Sequence, residues 1–343
     1  MSLHVGVLGA TGLVGRAMLA ILEERGFPVD TPRLLASGRT AERALRFRGG
    51  VVPVEPVARA SFAGLDLVLS AVSNVLAREW VPVAREAGAA VVDNSSAYRY
   101  EPDVPLVVPE VNGDLLAERP GLVANPNCST IGIVMALAPL ARVARLVRVV
   151  ASTYQSVSGA GSEALADLES GVRAGLENDP PDRPGGLPPF AFNVVPHIDR
   201  FEPNGYTREE MKVTWETRKI LGMPDLPVSC TAVRVPVRVG HGAAVHAIFD
   251  RPLTAAEARA LWARFPGVEV RDDPDRALYP TPLAAAGRDA VLVGRARADA
   301  CDPRALEFFV CSDNVRKGAA LNAVQIAEEL FRVTAAPPGR GGG

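Results

Sequence analysis

The first third of the chain alternates short apolar runs with amphipathic segments. The apolar, β-rich runs lie at residues 3–8, 33–36, 67–70 and 90–92. Helix-like stretches follow the first run, as far as about residue 25, and separate the third run from the fourth at residues 75–87. Buried strands that alternate with helices predict a parallel, doubly wound sheet.

After about residue 145 the runs become longer, and apolar positions interleave with polar ones. Such β-rich segments lie at residues 147–157, 228–239, 243–249, 290–298 and 306–310. Long alternating strands predict an antiparallel sheet with one covered face. Helix-like segments at residues 161–176 and 254–264 are expected to cover that face.

These patterns predict an α/β protein of two domains, which the length of 343 residues also suggests. The first domain is expected over residues 1–127, with a Rossmann-like fold and a parallel sheet. The second is expected over residues 128–314, with an α+β architecture and a mainly antiparallel sheet. A final helix at residues 315–333 is expected to return to the first domain, and residues 335–343 are expected to be disordered.

Composition and charge exclude several classes of function. The chain has 37 Lys+Arg against 39 Asp+Glu, and this balance argues against a nucleic-acid binder. No apolar run approaches the roughly 20 residues that cross a bilayer, so no membrane partner is expected. The four cysteines form no CxxC pair, and the N-terminus has no signal-peptide pattern. We therefore expect a cytoplasmic protein without a metal site.

A glycine-rich turn follows the first predicted strand and precedes the first predicted helix. Gly9, Gly12 and Gly15 allow a tight turn and close approach of a pyrophosphate to the backbone. The N-terminus of the following helix adds unpaired N–H groups and a partial positive charge. The turn therefore predicts a dinucleotide site, and a purely structural strand-to-helix turn is the alternative.

The residues after the second predicted strand bear on the choice of nucleotide. An acidic residue there would bind the ribose hydroxyls of NAD. Ser37, Gly38, Arg39 and Thr40 stand there instead. An arginine and hydroxyl groups suit a 2′-phosphate, so we predict NADP, with a solvated loop as the alternative.

Cys128 lies in the polar turn NPNCST, directly before an apolar helix-like run at residues 131–140. The field at a helix N-terminus stabilises a thiolate and lowers the pKa of a thiol. Cys230, Cys301 and Cys311 lack this context and are interpreted as structural. A thiolate beside a nicotinamide cofactor indicates one chemistry, in which an aldehyde is oxidised to a thioester that phosphate can release.

Such a site needs an acid/base group, and His241 is the best candidate among the four histidines. It lies between two glycines at the end of the predicted strand 228–239, where it is expected to be exposed and adjustable. Arg234 and Arg238 are expected on one face of that strand, where an arginine could clamp a carboxylate. His4, His197 and His246 are interpreted as structural.

Together these residues resemble the aspartate-semialdehyde dehydrogenase family. The motifs that carry the resemblance run in order along nearly the whole chain: GATGLVG (9–15), VVDNSSAYR (91–99), PLVVPEVN (105–112), NPNCST (125–130), QSVSGAG (155–161), NVVPHID (193–199), REEMKVTWETRKIL (208–221), RVPVRVGHG (234–242) and DNVRKGAALNAVQIAE (313–328). The resemblance implies an NADP domain followed by a catalytic and dimerisation domain, a homodimer, and aspartate semialdehyde and phosphate as small-molecule substrates. It also implies a role in the biosynthesis of lysine, threonine, methionine, isoleucine and diaminopimelate.

The resemblance also assigns roles to matching positions. Cys128 resembles the family's nucleophile, His241 its acid/base and Gln155 the residue that orients the substrate. Arg234 resembles the arginine that holds the substrate α-carboxylate, and Glu209 the acid that receives the substrate ammonium. Arg99 and Lys212 resemble the phosphate-site pair, with Asn94 and Ser96 beside Arg99. The positions that match NADP contacts are Gly9, Thr11, Gly12, Leu13, Val14, Arg39, Thr40, Ser158, Gly159 and Asn314.

One turn departs from the family pattern. The family usually carries a glycine-rich turn after the fourth strand, whereas this chain has Ser70-Ala71-Val72-Ser73-Asn74. The loss of those glycines could reshape the wall of the cofactor site. Two alternatives stay open. One is an N-acetyl-γ-glutamyl-phosphate reductase, which shares the thiolate chemistry but whose cysteine turn differs from NPNCST. The other is a non-catalytic nucleotide-binding paralogue, which only the altered turn supports.

Overall fold

The computed structural model describes residues 2–38, 44–178 and 182–333. Arg39 and Thr40, and the predicted disordered tail at residues 335–343, lie outside the described residues. The chain forms two compact units: Met1–Pro126 together with Ala319–Gly343, and Asn127–Gly318.

The strands are β1 Val5–Leu8, β2 Arg33–Ala36, β3 Ala44–Phe47, β4 Gly50–Pro56, β5 Leu67–Ser70, β6 Ala90–Asp93, β7 Leu122–Ala124, β8 Leu146–Gln155, β9 Val228–Arg234, β10 His241–Phe249, β11 Val268–Val270, β12 Val291–Ala298 and β13 Ala305–Ser312. The α-helices are α1 Leu13–Glu24, α2 Asn74–Glu86, α3 Pro109–Asn112, α4 Cys128–Ala141, α5 Ser162–Gly175, α6 Arg208–Ile220, α7 Ala255–Arg264, α8 Pro282–Ala285 and α9 Leu321–Phe331.

The first unit is built on a seven-stranded sheet in the order β3-β4-β2-β1-β5-β6-β7. Every pair in it is parallel except the β3–β4 hairpin. The central strands are buried at every position of β1 and β5, which explains their continuous apolar runs. The predicted parallel sheet is confirmed. Helix α9 packs against α1, so its apolar face joins the same core.

The second unit is built on a six-stranded mixed sheet in the order β11-β12-β13-β10-β8-β9. The three central pairs are antiparallel, while β11–β12 and β8–β9 are parallel. The predicted mainly antiparallel sheet is therefore confirmed. Helices α4 and α7 pack on this sheet and α6 packs on β9, whereas α5 packs mainly against the short turn Val157–Ala160. The prediction that the helix at residues 161–176 covers the sheet was therefore wrong.

Two predicted elements differ from the structure in their bounds. The predicted strand 228–239 ends at Arg234, because a turn with Pro236 and Gly240 breaks the ladder there. The predicted final helix at residues 315–333 begins as a π-helical turn, Arg316–Ala320, and becomes a regular α-helix only at Leu321.

Helix α4 is the central element of the second unit. Every residue from Ser129 to Leu140 is buried, so this helix is apolar all round rather than amphipathic. Its interior Pro139 stands in the last turn. Among the described residues, none of the helices combines the length and the apolar character that a membrane span requires. The burial fixes the position of α4, and with it the position of its first residue, Cys128.

Candidate active site

The glycine-rich turn of the first unit connects β1 to α1. Gly12 is the N-cap of α1, and its N–H donates to the carbonyl of Gly9 over 3.0 Å. A Cβ atom at Gly15 would lie 2.3 Å from that carbonyl oxygen, and Gly9 has a φ of +84°. Thr11, Leu13 and Val14 stand between these glycines. The turn therefore leaves the backbone open at a helix N-terminus, as a dinucleotide requires.

The turn after β5, residues 70–74, is the one that departs from the family pattern, and it packs directly against the glycine-rich turn. A Cβ atom at Gly9 would lie 2.4 Å from the carbonyl oxygen of Ala71 and 3.0 Å from a methyl carbon of Val72. Ser73 caps α2 with its side chain, which accepts the N–H of Leu76. The replaced turn thus supplies an apolar wall beside Gly9 and keeps a regular helix start.

Arg99 also belongs to the first unit, where it is buried beside the end of β6. Its guanidinium donates to the carbonyl oxygen of Asn94 over 2.7 Å. The side chain of Asn94 accepts the amide of Asn125 over 2.7 Å, and Ser96 pairs with Asn74. Burial raises the pKa of the neighbouring Asp93, against hydrogen bonds from Ser95 and Ser70 and the charge of Arg99.

Cys128 is the first residue of α4, so its predicted place at a helix N-terminus is confirmed. Asn127 caps the helix, because its Oδ1 accepts the N–H groups of Ser129 at 2.9 Å and Thr130 at 3.3 Å. A Cβ atom at Gly318 would lie 3.0 Å from the Cβ atom of Cys128. The glycine therefore lets the π-helical turn approach the thiol closely.

A network of charged and amide side chains surrounds Glu209 of α6. Its Oε1 accepts the amide of Asn127 over 2.8 Å and that of Gln155 over 3.1 Å. Its Oε2 accepts the ammonium of Lys212 over 3.1 Å, which also donates to Asp199 over 2.7 Å. The second unit thus brings Gln155, Glu209 and Lys212 together.

The charges in this network hold one another ionised. Burial acts to raise the pKa of Glu209, but the charge of Lys212 and hydrogen bonds from Asn127, Lys212 and Gln155 outweigh it and lower the pKa. Burial likewise acts to lower the pKa of Lys212, but Glu209 and Asp199 outweigh it and raise the pKa. The result is a carboxylate that already holds one ammonium group.

His241 is buried, with 3% of its surface exposed, and it begins β10 instead of ending β9. The prediction of an exposed histidine was therefore wrong. Its Nδ1 accepts the backbone N–H of Ser156 over 3.0 Å, so the neutral ring carries its proton on Nε2. Burial, and then the charge of Arg234, lower the pKa of His241 to about 3. His241 is consequently neutral near pH 7.

Arg234 is buried at the end of β9, and its guanidinium donates to the carbonyl oxygen of Ser156 over 2.7 Å. A Cβ atom at Gly159 would lie 3.0 Å from Nη1 of Arg234 and 3.1 Å from Nε2 of His241. Gly159 therefore keeps a space open between these two donors. Arg238 lies beyond the strand, is exposed and pairs with Glu169 at 2.9 Å. The prediction that both arginines share a strand face was wrong.

The second unit also groups Ser158 and Asn314 from the predicted cofactor positions. Oδ1 of Asn314 accepts the hydroxyl groups of Ser156 and Ser158 and the N–H of Gly240. These bonds are 3.0, 3.2 and 2.9 Å long. They tie the turn after β8 to the residue before His241, which orients the imidazole.

The remaining histidines and cysteines have structural surroundings. His4 hydrogen-bonds with Asp66, His246 pairs with Glu307, and His197 stacks on Phe201 with ring centroids 4.6 Å apart. Burial raises the pKa of Cys311 to about 12 and raises that of Cys230 further. Cys301 is exposed.

Several residues of the network escaped the sequence reasoning. Asn127, Ser156, Asp199 and Glu216 hold or orient the predicted residues, although no role was predicted for them. Asn127 stands beside Cys128 in NPNC, so the preference for Asn as an N-cap could have identified it. The others are joined to the site only by contacts between distant parts of the chain.

Comparisons with known proteins relate this chain to one family. Residues 4–119 match the family model described as "semialdehyde dehydrogenase, NAD binding domain". Residues 137–317 match "semialdehyde dehydrogenase, dimerisation domain". The chain is 47% identical over 333 residues to aspartate-semialdehyde dehydrogenase of Legionella pneumophila, covering 96% of each chain.

Solved structures give the same result. The fold is similar, with a TM-score of 0.93 and 42% identity, to aspartate semialdehyde dehydrogenase II of Vibrio cholerae complexed with ASA, covering 97% of this chain and 99% of that one. It is also similar, with a TM-score of 0.76 and 27% identity, to the Candida albicans enzyme with NADP, covering 96% and 99%. The chain, with its NAD(P)-binding domain and its cysteine at a helix start, belongs to the aspartate-semialdehyde dehydrogenase family of oxidoreductases.

Proposed function

We propose that this protein catalyses the reversible, NADP-dependent reductive dephosphorylation of L-aspartyl-4-phosphate to L-aspartate 4-semialdehyde, in amino-acid biosynthesis in the cytoplasm. The observation that carries the proposal is the arrangement of the second unit. There the thiol of Cys128 begins α4, and Asn127 joins that turn to Glu209 and thereby to Gln155 and Lys212. Thiolate attack on an acyl phosphate forms a thioester and releases phosphate.

The substrate's charged groups fit the charged residues of the site. Arg234 is proposed to hold the α-carboxylate, since a guanidinium binds a carboxylate at two points. Glu209 is proposed to receive the substrate ammonium, and it already accepts the ammonium of Lys212 at 3.1 Å. An incoming ammonium would share or replace that contact. Arg99 and Lys212 are proposed to hold the departing or attacking phosphate.

His241 is proposed to act through its Nε2–H group. Because Nδ1 accepts the Ser156 N–H, the neutral ring presents a donor on the side that Gly159 leaves open. A donor there can stabilise negative charge that develops on the substrate oxygen and can give up its proton. Gln155, held by Glu209, is proposed to orient the same carbonyl group.

The glycine-rich turn fits a dinucleotide, because added Cβ atoms at Gly9 and Gly15 would fill the close approach. NADPH bound there would supply the hydride for reduction of the thioester. Gly12, Thr11, Leu13 and Val14 are proposed to meet the pyrophosphate, while Ser158, Gly159 and Asn314 are proposed to contact the cofactor from the second unit. A homodimer is also proposed, since residues 137–317 match a dimerisation domain.

A direct assay tests the proposal. Purified protein with aspartate semialdehyde, NADP and phosphate should produce NADPH at a rate that depends on all three. N-acetylglutamate semialdehyde should be a poor substrate, because its acylated nitrogen carries no charge for Glu209. Turnover of the acetylated compound alone would identify the reductase of that substrate, and failure with both would indicate a non-catalytic paralogue.

Replacing Arg39 should change the choice of nucleotide. We expect Arg39→Ala to weaken NADP binding relative to NAD by about 1–3 kcal/mol, the scale of hydrogen bonds to charged groups. The reason is that Arg39 follows β2, where a 2′-phosphate would be read, and no acidic residue stands in the stretch from Ser37 to Thr40. Titration of each nucleotide provides the Kd values. An equal loss of affinity for NAD and NADP would show that Arg39 does not bind the 2′-phosphate.

The buried His241 should make stability depend on pH. Its pKa is about 3 in the folded state against an ordinary 6.5, so the unfolded chain binds a proton that the folded chain refuses. The free energy of unfolding should therefore fall as the pH drops below about 6.5, by about 2 kcal/mol at pH 5. Urea unfolding at several pH values measures it. The His241→Gln variant should lose this contribution, while exposed His4→Gln should keep it; equal slopes for wild type and His241→Gln would contradict the prediction.

A further inference from the structure

Glu216 is a buried acidic residue that the proposed reaction does not use directly. It lies on α6, seven residues after Glu209, and it is 0% exposed. Its Oε2 accepts the backbone N–H of Asn127 over 2.6 Å, although the two residues are 89 positions apart. Positions seven apart lie on one face of a helix, so α6 presents both acidic groups to the turn before Cys128.

Asn127 is consequently held at all of its polar groups, since its carbonyl oxygen also accepts the N–H of Ile131 over 3.0 Å. Its N–H is bound by Glu216, its Nδ2 donates to Glu209 over 2.8 Å, and its Oδ1 caps α4. Hydrogen bonds to acidic groups are strong in a buried environment, where water cannot replace them. The residue before Cys128 therefore cannot rotate without leaving several buried groups unpaired.

We propose that Glu216 is a positioning residue for the nucleophile. It sets the orientation of the Asn127 peptide, and this orientation fixes the direction in which the first turn of α4 presents the Cys128 thiol. Glu216 itself does not touch the substrate. The proposal rests on the proposed role of Cys128, and it adds the residue that fixes the orientation of the thiol.

Three substitutions separate the possible contributions of Glu216. Glu216→Ala removes the acceptor for the Asn127 N–H. Glu216→Asp keeps the acidic group but withdraws its oxygen by one methylene group, and Glu216→Gln keeps a carbonyl oxygen in reach without the acid. If the position of the oxygen that accepts the Asn127 N–H matters, Glu216→Gln should form the thioester faster than either Glu216→Asp or Glu216→Ala.

Glu210 offers a matched control on the same helix. It is also a buried glutamate, and it accepts two backbone N–H groups, those of Thr207 at 2.7 Å and Ala232 at 2.9 Å. Neither group belongs to the Cys128 turn. Glu210→Gln therefore removes a comparable acid from α6 without releasing Asn127.

The experiment measures the rate of thioester formation on Cys128 in a single turnover with aspartate semialdehyde and NADP. Glu216→Ala and Glu216→Asp should slow it by roughly 10- to 100-fold, the scale of a misplaced reacting group, with KM values within about threefold of wild type. The rate of thioester formation should fall less in Glu216→Gln, and in Glu210→Gln it should stay within about threefold of the wild-type rate. Deuterium uptake by the peptide that spans Asn127 should rise only in the Glu216 variants.

Two results would overturn the proposal: thioester formation at the wild-type rate in Glu216→Ala, or an equal loss in Glu210→Gln. If Glu216→Ala does not fold, the ratio between Glu216→Asp and Glu216→Gln decides the matter in the same way. Failure of the proposed function is distinguishable, because wild type would then form no thioester at Cys128.

Discussion

Cys128→Ala should abolish turnover of aspartate semialdehyde, with kcat lowered by about 10⁴-fold or more, the scale seen when a covalent nucleophile is removed. The thiol belongs to the first residue of α4, where the field of the helix favours negative charge. Without sulfur no thioester can form, and neither Gln155 nor His241 can substitute for the lost nucleophile. Cys128→Ser should also be nearly inactive, because a hydroxyl is not ionised near neutral pH.

The fold should survive both substitutions. The thiol is only partly buried, and the cap of α4 is made by Asn127. The free energy of unfolding should therefore change by less than about 1 kcal/mol. The matched control is Cys301→Ala, which removes an exposed thiol and should keep full activity. Steady-state kinetics and urea unfolding measure both quantities, and substantial turnover by Cys128→Ala would refute the covalent mechanism.

Arg234→Lys should have the second largest effect. Lysine keeps the positive charge but loses the planar group that can hold a carboxylate at two points. It also loses the 2.7 Å bond to the carbonyl oxygen of Ser156, the residue whose N–H donates to Nδ1 of His241. The value of kcat/KM for the semialdehyde should fall by roughly 10- to 150-fold, since hydrogen bonds to charged groups contribute about 1.5–3 kcal/mol.

Two controls locate the effect of Arg234→Lys. Arg238→Lys changes an exposed arginine that pairs with Glu169, so it should leave the kinetics unchanged. Lys212→Ala should chiefly raise the KM for phosphate, because Lys212 is proposed for the other end of the substrate, as is Arg99. Kinetics with each substrate varied in turn decide this. If Arg234→Lys altered only the phosphate dependence, the assignment of the carboxylate site would be wrong.

Much of the fold, and the position of the proposed nucleophile at a helix start, could be predicted from local patterns. The run before Gly9 is β1, and the glycines lie where a strand passes into a helix. A polar NPNC turn before an apolar run placed Cys128 at the start of α4, because asparagine is a preferred cap. These features depend on neighbours within a few residues, so the sequence contains the information directly.

The surroundings of His241 could not be predicted in this way. Two glycines suggested an exposed residue, whereas the pairing of β10 with β8 and β13 buries it. The strand 228–239 was predicted too long, because the residues after Arg234 keep an alternating pattern without forming a ladder. Whether such a pattern pairs depends on the partner strand, which lies elsewhere in the sequence.

The sequence by itself determined which residues are proposed for the chemistry: the glycines of the turn, Cys128 and the charged side chains of the family motifs. Only the tertiary structure decided their state. Burial in the fold makes His241 neutral, and hydrogen bonds from Lys212 and Asn127 bind the carboxylate of Glu209. It also brought Glu216 to the backbone of Asn127 from 89 residues away. Protonation, hydrogen-bond partners and orientation depend on what surrounds a group in space, and that is set when distant segments pack together.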